Sequence, residues 1–547
     1  MRALRLLAAF LLTLLPAFAG GAGWERSWPD LAIGGTAVSS LRASPAGGLQ
    51  VTGSSSLANL TQYVDYAPDW ASPSGLRFTD GNFYVTGSGA ANPELCTGNP
   101  ITINFRKVNV GGTVNTSTGA ITGGTWYTVT WGGSQTVTIA DCEFIRSDPL
   151  RDASGNVLSF TTGAAYFTRT SVSVAAAGQG IPTNSKFLPR YSHQYWGDGT
   201  EWTATPQVAK ATSGNIAAFS NGSAGYIPTY VTFDNWDGAH PVALLVGDSI
   251  CNWQADYDFS GSRPAYGYMA RALDDAASGR WSFANFCSSG TKPQDQSSVA
   301  TGQYKLRMRA LFAASSNRPF NRIVSNMAQN GFFNTLSLSS FQAVETSFWN
   351  FFHLYCPTCS FYQTTFPPHP SAVNNSFWSD QANQTTTAGD VNYYPTGLRF
   401  TLMAWLEGLG GGTYTLPSWV RALPIETAFA DSTYPDHWKT NSTPYTLPSG
   451  VSSGVSSFTV DGPVAPTNGD AIVLNPGTSN AETRNIYAVT GSSTPWTVFV
   501  ISNTSKTHAT GSAALISYTS DGTHPTATLD KGAAALLIGY KNSSLLN

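Results

Sequence analysis

Charge is scarce in this sequence: Asp, Glu, Lys and Arg make up 11% of 547 residues, against about 25% in an ordinary soluble domain. The acids and bases nearly cancel, to a formal net charge of −3. There is no block of Lys and Arg, the electrostatic footprint that binding to nucleic acid or an anionic membrane requires. Both partners are set aside on that ground. Beyond the first few residues the chain also lacks any segment approaching the roughly 20 apolar residues of a membrane span, and it carries no terminal lipidation signal. Metal motifs are missing as well. The His-Glu-x-x-His pattern is absent, and His193, His240, His353 and His508 have no metal-binding spacing. The Asp234-Asn235-Trp236-Asp237 cluster lacks the later bidentate Glu of a calcium loop and reads as a solvated linker. No metal and no cofactor are expected.

What the chain has instead is 53 Gly, abundant Ser, Thr and Asn, and 12% aromatic residues, with a hydrophobic content of 41% that can fill a core. That composition describes a neutral, hydroxyl-rich, β-leaning surface. The length suggests about three domains. Arg2 and Arg5 precede an apolar stretch, Leu6 to Leu15, which leads to Pro16 and Ala17-Phe18-Ala19. This order is that of a secretory signal peptide cut after about Ala19, so residues 1–19 are expected to be removed and the protein exported, as a secreted, periplasmic or cell-surface protein. Six cysteines in an exported chain point to disulfides, for which fifteen pairings exist. Nearest neighbours are expected to pair: Cys96 with Cys142, Cys251 with Cys287, and Cys356 with Cys359. The Cys356-Pro-Thr-Cys359 run has no second Cys/His pair at zinc spacing and reads as a structural staple.

The texture of the chain changes three times. Residues 20–235 are short alternating runs such as Thr125-Trp-Tyr-Thr-Val-Thr-Trp131, broken by Gly, Asn and Pro, and they read as an all-β, sandwich-like domain that either spaces or binds sugar polymers. Residues 236–444 with 517–547 alternate strands and helix-period segments, which is α/β. Strands are expected at Val242 to Val246, Trp281 to Phe286, Arg322 to Met327 and Ser360 to Phe366. Helices are expected around Tyr266 to Ala277, Gln303 to Ala314, Ser339 to Leu354 and Thr396 to Leu409. Residues 445–516 return to short β runs and read as a small inserted module, either a spacer, by the plainer reading, or a cover that overhangs the segment following its exit strand, Ala513 to Tyr518.

The chemistry-bearing segments fall in the α/β part. After the apolar run Pro241 to Val246 comes Gly247-Asp248-Ser249-Ile250, and Asp521-Gly522-Thr523-His524-Pro525 lies near the C-terminus. The strand delivers Ser249 to its carboxyl end, where open α/β sheets place their chemistry. A serine hydroxyl needs an imidazole to take its proton and an acid to hold the imidazole, and Asp521 and His524 lie three apart on one loop. His437 and His369 have no Asp three residues earlier.

These blocks resemble the SGNH, or GDSL, hydrolase family, over roughly Pro241 to Ala430 and Ser517 to the end. The resemblance implies an α/β three-layer catalytic domain around a parallel five-stranded sheet, here flanked by the N-terminal all-β domain and the small β insertion. Its fifth strand has no evident counterpart in the sequence. It implies Ser249 as nucleophile, His524 as base and Asp521 as orienting acid. It also implies an oxyanion hole from the backbone N–H of Ser249, Gly290 in Asn285-Phe-Cys-Ser-Ser-Gly290-Thr, and the side chain of Asn330. The family's third block is Gly-x-Asn-Asp; Ala328-Gln329-Asn330-Gly331 keeps the Asn and loses the Gly and the Asp. Asn326 is the fallback donor. Trp253, Tyr257 and Phe259 follow the nucleophile and either wall a pocket or belong to the core.

The expectation is a secreted serine esterase acting on acyl esters, of short chain or acetyl type, carried by a polysaccharide. A long-chain acyl hydrolase is a second reading. A surface polysaccharide-binding protein with an inactive hydrolase module is a third.

Overall fold

The computed structural model describes residues 35–38, 49–51, 56–85, 94–183, 198–217, 225–252, 256–258, 263, 266–296, 305–313, 319–333, 337–372, 378–385, 397–409, 415–441, 443–543 and 546. The expected signal peptide, 1–19, lies outside these residues, as do Trp253 and Phe259.

The central element is a parallel sheet of five strands: β1 (Val242–Val246), β2 (Ser282–Asn285), β3 (Arg322–Ser325), β4 (Ser360–Thr364) and β5 (Val420–Leu423). Their spatial order is β2-β1-β3-β4-β5, and every pairing is parallel. β1, Val-Ala-Leu-Leu-Val, is buried throughout, as expected of a strand covered on both faces. Its side chains alternate between two apolar cores. Val242, Leu244 and Val246 enter one, and Ala243 and Leu245 enter the other, following the period-two alternation of strand side chains.

The first core collects α2 (Lys305–Ala313), α3 (Leu338–Tyr355) and α4 (Leu398–Leu406) through Leu311, Phe348 and Leu402. The second collects α1 (Gly267–Leu273), α5 (Glu426–Phe429) and α6 (Ala527–Asn542) through Met269, Phe429 and Leu537. The result is three layers, helix on sheet on helix. α3 starts where Ser337 caps it, accepting from the N–H of Ser340 at 3.2 Å, a bond worth about 1 kcal/mol.

β5 is the strand that the sequence did not display. It has four residues, Val-Arg-Ala-Leu, with Arg421 exposed and only its two ends buried. As an edge strand it needs no apolar run. α1 is also shorter than the expected Tyr266 to Ala277, ending at Leu273.

Residues 35–236 carry two larger antiparallel sheets, one of four strands, with Gly35–Val38 at its edge, and one of six. Phe78, Tyr230 and Phe233 from these sheets, with Trp70 from the loop between two of their strands, share the first core with Val242 and Leu244 of the parallel sheet. Asp234 is not in a linker. It lies in the strand Tyr230–Trp236 and pairs with Arg77 at 2.6 Å and Arg146 at 3.0 Å. The acid-rich run reads as a loop only because these basic partners are distant in sequence.

Residues 444–517 form a second six-stranded antiparallel sheet. Its first and last strands meet through two backbone hydrogen bonds between Thr446 and Asp461, at 2.8 and 2.9 Å. The sheet therefore closes into a small barrel around Phe458, Ile472, Ile486, Val498 and Ile516, which removes its free edges. All three expected disulfides are present, Cys96–Cys142, Cys251–Cys287 and Cys356–Cys359, and no free cysteine occurs among the described residues. No described helix is long and apolar enough to cross a membrane.

Candidate active site

In a sheet of order 2-1-3-4-5 the chain leaves β1 and β3 toward opposite faces, and a crevice opens outside their carboxyl ends. Ser249 sits there, three residues past β1. The turn around it is built by close approach: a Cβ at Gly247 would stand 1.8 Å from Asn326 Oδ1 and 2.9 Å from Cys251 Cβ. Asn326, just past β3, clamps the turn. Its amide donates to Asp248 Oδ1 at 2.8 Å, and its own oxygen accepts the Asp248 N–H at 3.1 Å. Asn326 is thus a brace of the serine turn, with one amide hydrogen spent on Asp248.

The C-terminal loop meets Ser249 from above the sheet edge. Ser249 Oγ lies 2.8 Å from His524 Nε2, and His524 Nδ1 lies 2.7 Å from Asp521 Oδ2. A carboxylate can only accept, so Nδ1 carries the ring proton and Nε2 is left to accept from the serine hydroxyl. Asp521 Oδ1 also accepts the backbone N–H groups of Thr523 and His524, both at 2.9 Å. Burial alone would raise the Asp521 pKa, but the hydrogen bond and charge of His524 and these two N–H donors prevail and hold it at about 2. It is ionised at any working pH. Gly522, at φ 79°, takes the left-handed turn conformation. It is packed between two indoles: a Cβ there would meet the Trp378 ring at 2.8 Å, and Trp438 Nε1 donates to its carbonyl at 2.8 Å. His369 Nε2 reaches Thr523 Oγ1 at 2.7 Å from the other side.

The same local motif occurs a second time. Asp237-Gly-Ala-His240-Pro241 repeats Asp521-Gly-Thr-His524-Pro525, with His240 Nδ1 2.8 Å from Asp237 Oδ2 and Gly238 at φ 80°. This copy precedes β1, at the opposite end of the strand from Ser249, and its two side chains are half-exposed at 47% and 52%. Asp-Gly-x-His therefore encodes a turn that places a carboxylate on an imidazole. What faces the other ring nitrogen is decided by tertiary position.

The loop after β2 is tied to the serine turn from below. Cys287 joins Cys251, Ser288 N–H donates to the Gly247 carbonyl at 2.9 Å, and Thr291 Oγ1 donates to the same carbonyl at 2.9 Å. Gly290 stands in this loop at φ 79°. Asn330, in the single 3-10 turn Gln329–Phe333 after β3, donates from Nδ2 to the Thr291 carbonyl at 2.9 Å. The structure thus gathers Ser249, His524, Asp521, Gly290 and Asn330 at one end of the sheet, with one amide hydrogen of Asn330 spent on Thr291. Ala328, two residues before Asn330, has φ 156°. The turn into Asn330 has a glycine-favouring backbone without a glycine. Tyr257 is half-buried near Asp521, whose charge, added to the larger effect of burial, raises the tyrosine pKa. His437 turns to Gln381 at 2.9 Å and plays no part here. No group of three or more metal-binding side chains occurs among the described residues.

Two results are expected from this geometry. Cys251–Cys287 links the serine turn to the Gly290 loop, whereas Cys96–Cys142 lies in the N-terminal sheets. Esterase activity should therefore fall more in Cys251→Ala than in Cys96→Ala, assayed below both melting points; equal or negligible loss in the two would contradict the linkage. The second concerns Asp248, which is fully buried. Burial lifts its carboxyl from 3.8 to about 6, against the Ile250 N–H and Asn326 amide that favour the charged form. A folded pKa above the unfolded one gives stability that is complete below the unfolded value and is lost as pH rises through the folded one. Between pH 5 and 7 the wild type should lose about 1 kcal/mol relative to Asp248→Asn. Urea midpoints at the two pH values check this, and parallel shifts in both proteins would contradict it.

No protein-family model matches the sequence, and no curated relative matches it. Solved structures give low-level likenesses. A carbohydrate esterase family 2 enzyme with a carbohydrate-binding domain from Corynascus (Myceliophthora fergusii) is 13% identical, with 67% of this chain and 90% of that one covered and a TM-score of 0.23. A family two carbohydrate esterase from Cellvibrio japonicus is 12% identical over 71% and 88%, with a TM-score of 0.20. A possible lipase from Chitinophaga pinensis is 10% identical over 56% and 99%, with a TM-score of 0.27. At this level the functional argument rests on the site's own geometry.

Proposed function

We propose that this chain is an exported serine esterase of SGNH type that cleaves short acyl esters, acetyl above all, carried on a polysaccharide. The observation that carries the proposal is the hydrogen-bonded relay Ser249–His524–Asp521, with distances of 2.8 and 2.7 Å, at the carboxyl edge of a parallel sheet. Ser249 Oγ attacks the acyl carbon while His524 Nε2 takes its proton, and Asp521 stabilises the imidazolium. The proton passes to the departing alcohol, leaving an acyl-Ser249. Water, deprotonated by the same imidazole, then frees the acid and restores the serine. The tetrahedral oxyanion is held by the N–H groups of Ser249 and Gly290 and by the amide of Asn330, each worth about 3 to 4 kcal/mol.

The substrate class rests on the neutral, hydroxyl-rich composition, on the partly exposed aromatic rings of Trp126 and Tyr487, which pack against one apolar cluster shared by the two β regions, and on the expected export signal. Acetyl and palmitoyl esters with the same leaving group, together with an acetylated glycan, test it. Fast turnover of the acetyl ester and release of acetate from the glycan are expected. Preference for palmitoyl would replace this reading with a long-chain acyl hydrolase.

A further inference from the structure

We propose that Asp470, in the inserted barrel, is a positioning residue for His524, and that the barrel's role is to clamp the histidine loop. The proposal rests on the esterase reading for the role of His524, but the contacts are independent of it. The loop Thr519–Pro525 leaves the barrel strand Ala513–Ser517 and enters α6. Its base is shut by the Thr526 N–H donating to the Tyr518 carbonyl at 2.9 Å.

The first turn of a helix presents N–H groups with no partner inside the helix. Thr526, the N-cap of α6, supplies no side-chain cap. The cap comes from the barrel. Asp470 Oδ1 accepts from Thr526 Oγ1 at 2.8 Å and from the Thr528 N–H at 3.3 Å, and Oδ2 accepts from Thr528 Oγ1 at 2.8 Å. One residue earlier, the Gly469 carbonyl accepts the Ala527 N–H at 3.1 Å.

The fit is tight. Gly469 has φ +87°, and a Cβ there would lie 2.4 Å from Ala527 Cβ and 2.7 Å from the Asp258 nitrogen. Asp258 in turn pairs with Lys531, one turn into α6. Asp470 opens the strand Ala471–Leu474, which pairs on one side with Glu482–Thr490 and on the other with Ala513–Ser517. The barrel thus holds one end of the histidine loop through its own strand and the other end through Asp470. His524 sits two residues before the cap, so a shift of α6's first turn moves its ring against Ser249.

The test uses the full chain and the variants Asp470→Ala, Asp470→Asn and Gly469→Ala, with two readouts: kinetics on a short acyl ester, and amide hydrogen exchange over residues 519–526. In Asp470→Ala, kcat should fall about tenfold or more with KM within about twofold, since a displacement near 1 Å suffices for such a loss. Exchange in 519–526 should speed up while 471–474 and 513–517 keep their protection. Asp470→Asn retains an acceptor and should recover most of kcat. Gly469→Ala keeps the carboxylate but wedges the backbones apart, and should reproduce the alanine signature if Asp470→Ala does not fold. Unchanged kcat and loop exchange in folded Asp470→Ala, or exchange rising equally across barrel and helix, would overturn the clamp. A wild type without turnover would sink the esterase reading alone, and the exchange measurement would still decide the clamp.

Discussion

Turnover of a short acyl ester by Ser249→Ala should fall about 10⁶-fold, the scale on which a triad fails when its nucleophile is removed. His524→Ala should lose about as much, because the two side chains act as a unit joined at 2.8 Å. Asp521→Asn should lose about 10⁴-fold, since the asparagine can favour the wrong imidazole tautomer. The double variant Ser249→Ala/His524→Ala should be no slower than either single one. Additive losses in the double variant would mean that the residues do not form one relay. On the proposed mechanism the residual rate should respond to the Gly290 loop and Asn330 as oxyanion donors. Steady-state kinetics on one ester decides all four.

Glu94→Ala should cost about 3 to 5 kcal/mol, the usual result of leaving one member of a buried ion pair alone. Glu94 and Arg307 have side chains that are 1% and 0% exposed, 2.6 Å apart. The carboxylate also accepts the backbone N–H groups of Leu306 and Arg307 in the first turn of α2. Arg307 Nη1 donates to the Phe286 carbonyl at 2.6 Å, next to Cys287. The N-terminal sheets are therefore fastened to the segment that carries Gly290 through one buried charge pair. Urea unfolding of Glu94→Ala measures the loss, and Glu94→Ala/Arg307→Met should recover much of it by removing the stranded guanidinium. A loss below about 1 kcal/mol would contradict the pairing.

The parts of the site that were legible in the sequence are those in which a local motif coincides with a tertiary requirement. Val242 to Val246 could be read as a buried strand because a parallel strand covered on both faces must be apolar throughout. Ser249 followed from its position past that strand. Asp521 and His524 were legible as a pair because an Asp-Gly turn brings the carboxylate onto the ring. The twin at Asp237 and His240 shows how little that local geometry says by itself: identical bonds form where no serine is present. β5 was invisible because an edge strand of four residues needs two buried side chains and no pattern. The bracing role of Asn326 was not legible because its partner, Asp248, lies on another strand's turn. Nothing in residues 445–516 reveals that Asp470 meets a helix that starts 57 residues later, at Ala527.

Covalent labelling tests the central claim most directly. A fluorophosphonate followed by peptide mapping should place a single adduct on Ser249. Excess short acyl ester should slow its formation, and Asp521→Asn and His524→Ala should form it far more slowly. An adduct on another residue, or an unlabelled Ser249 in protein that still hydrolyses the ester, would contradict the account.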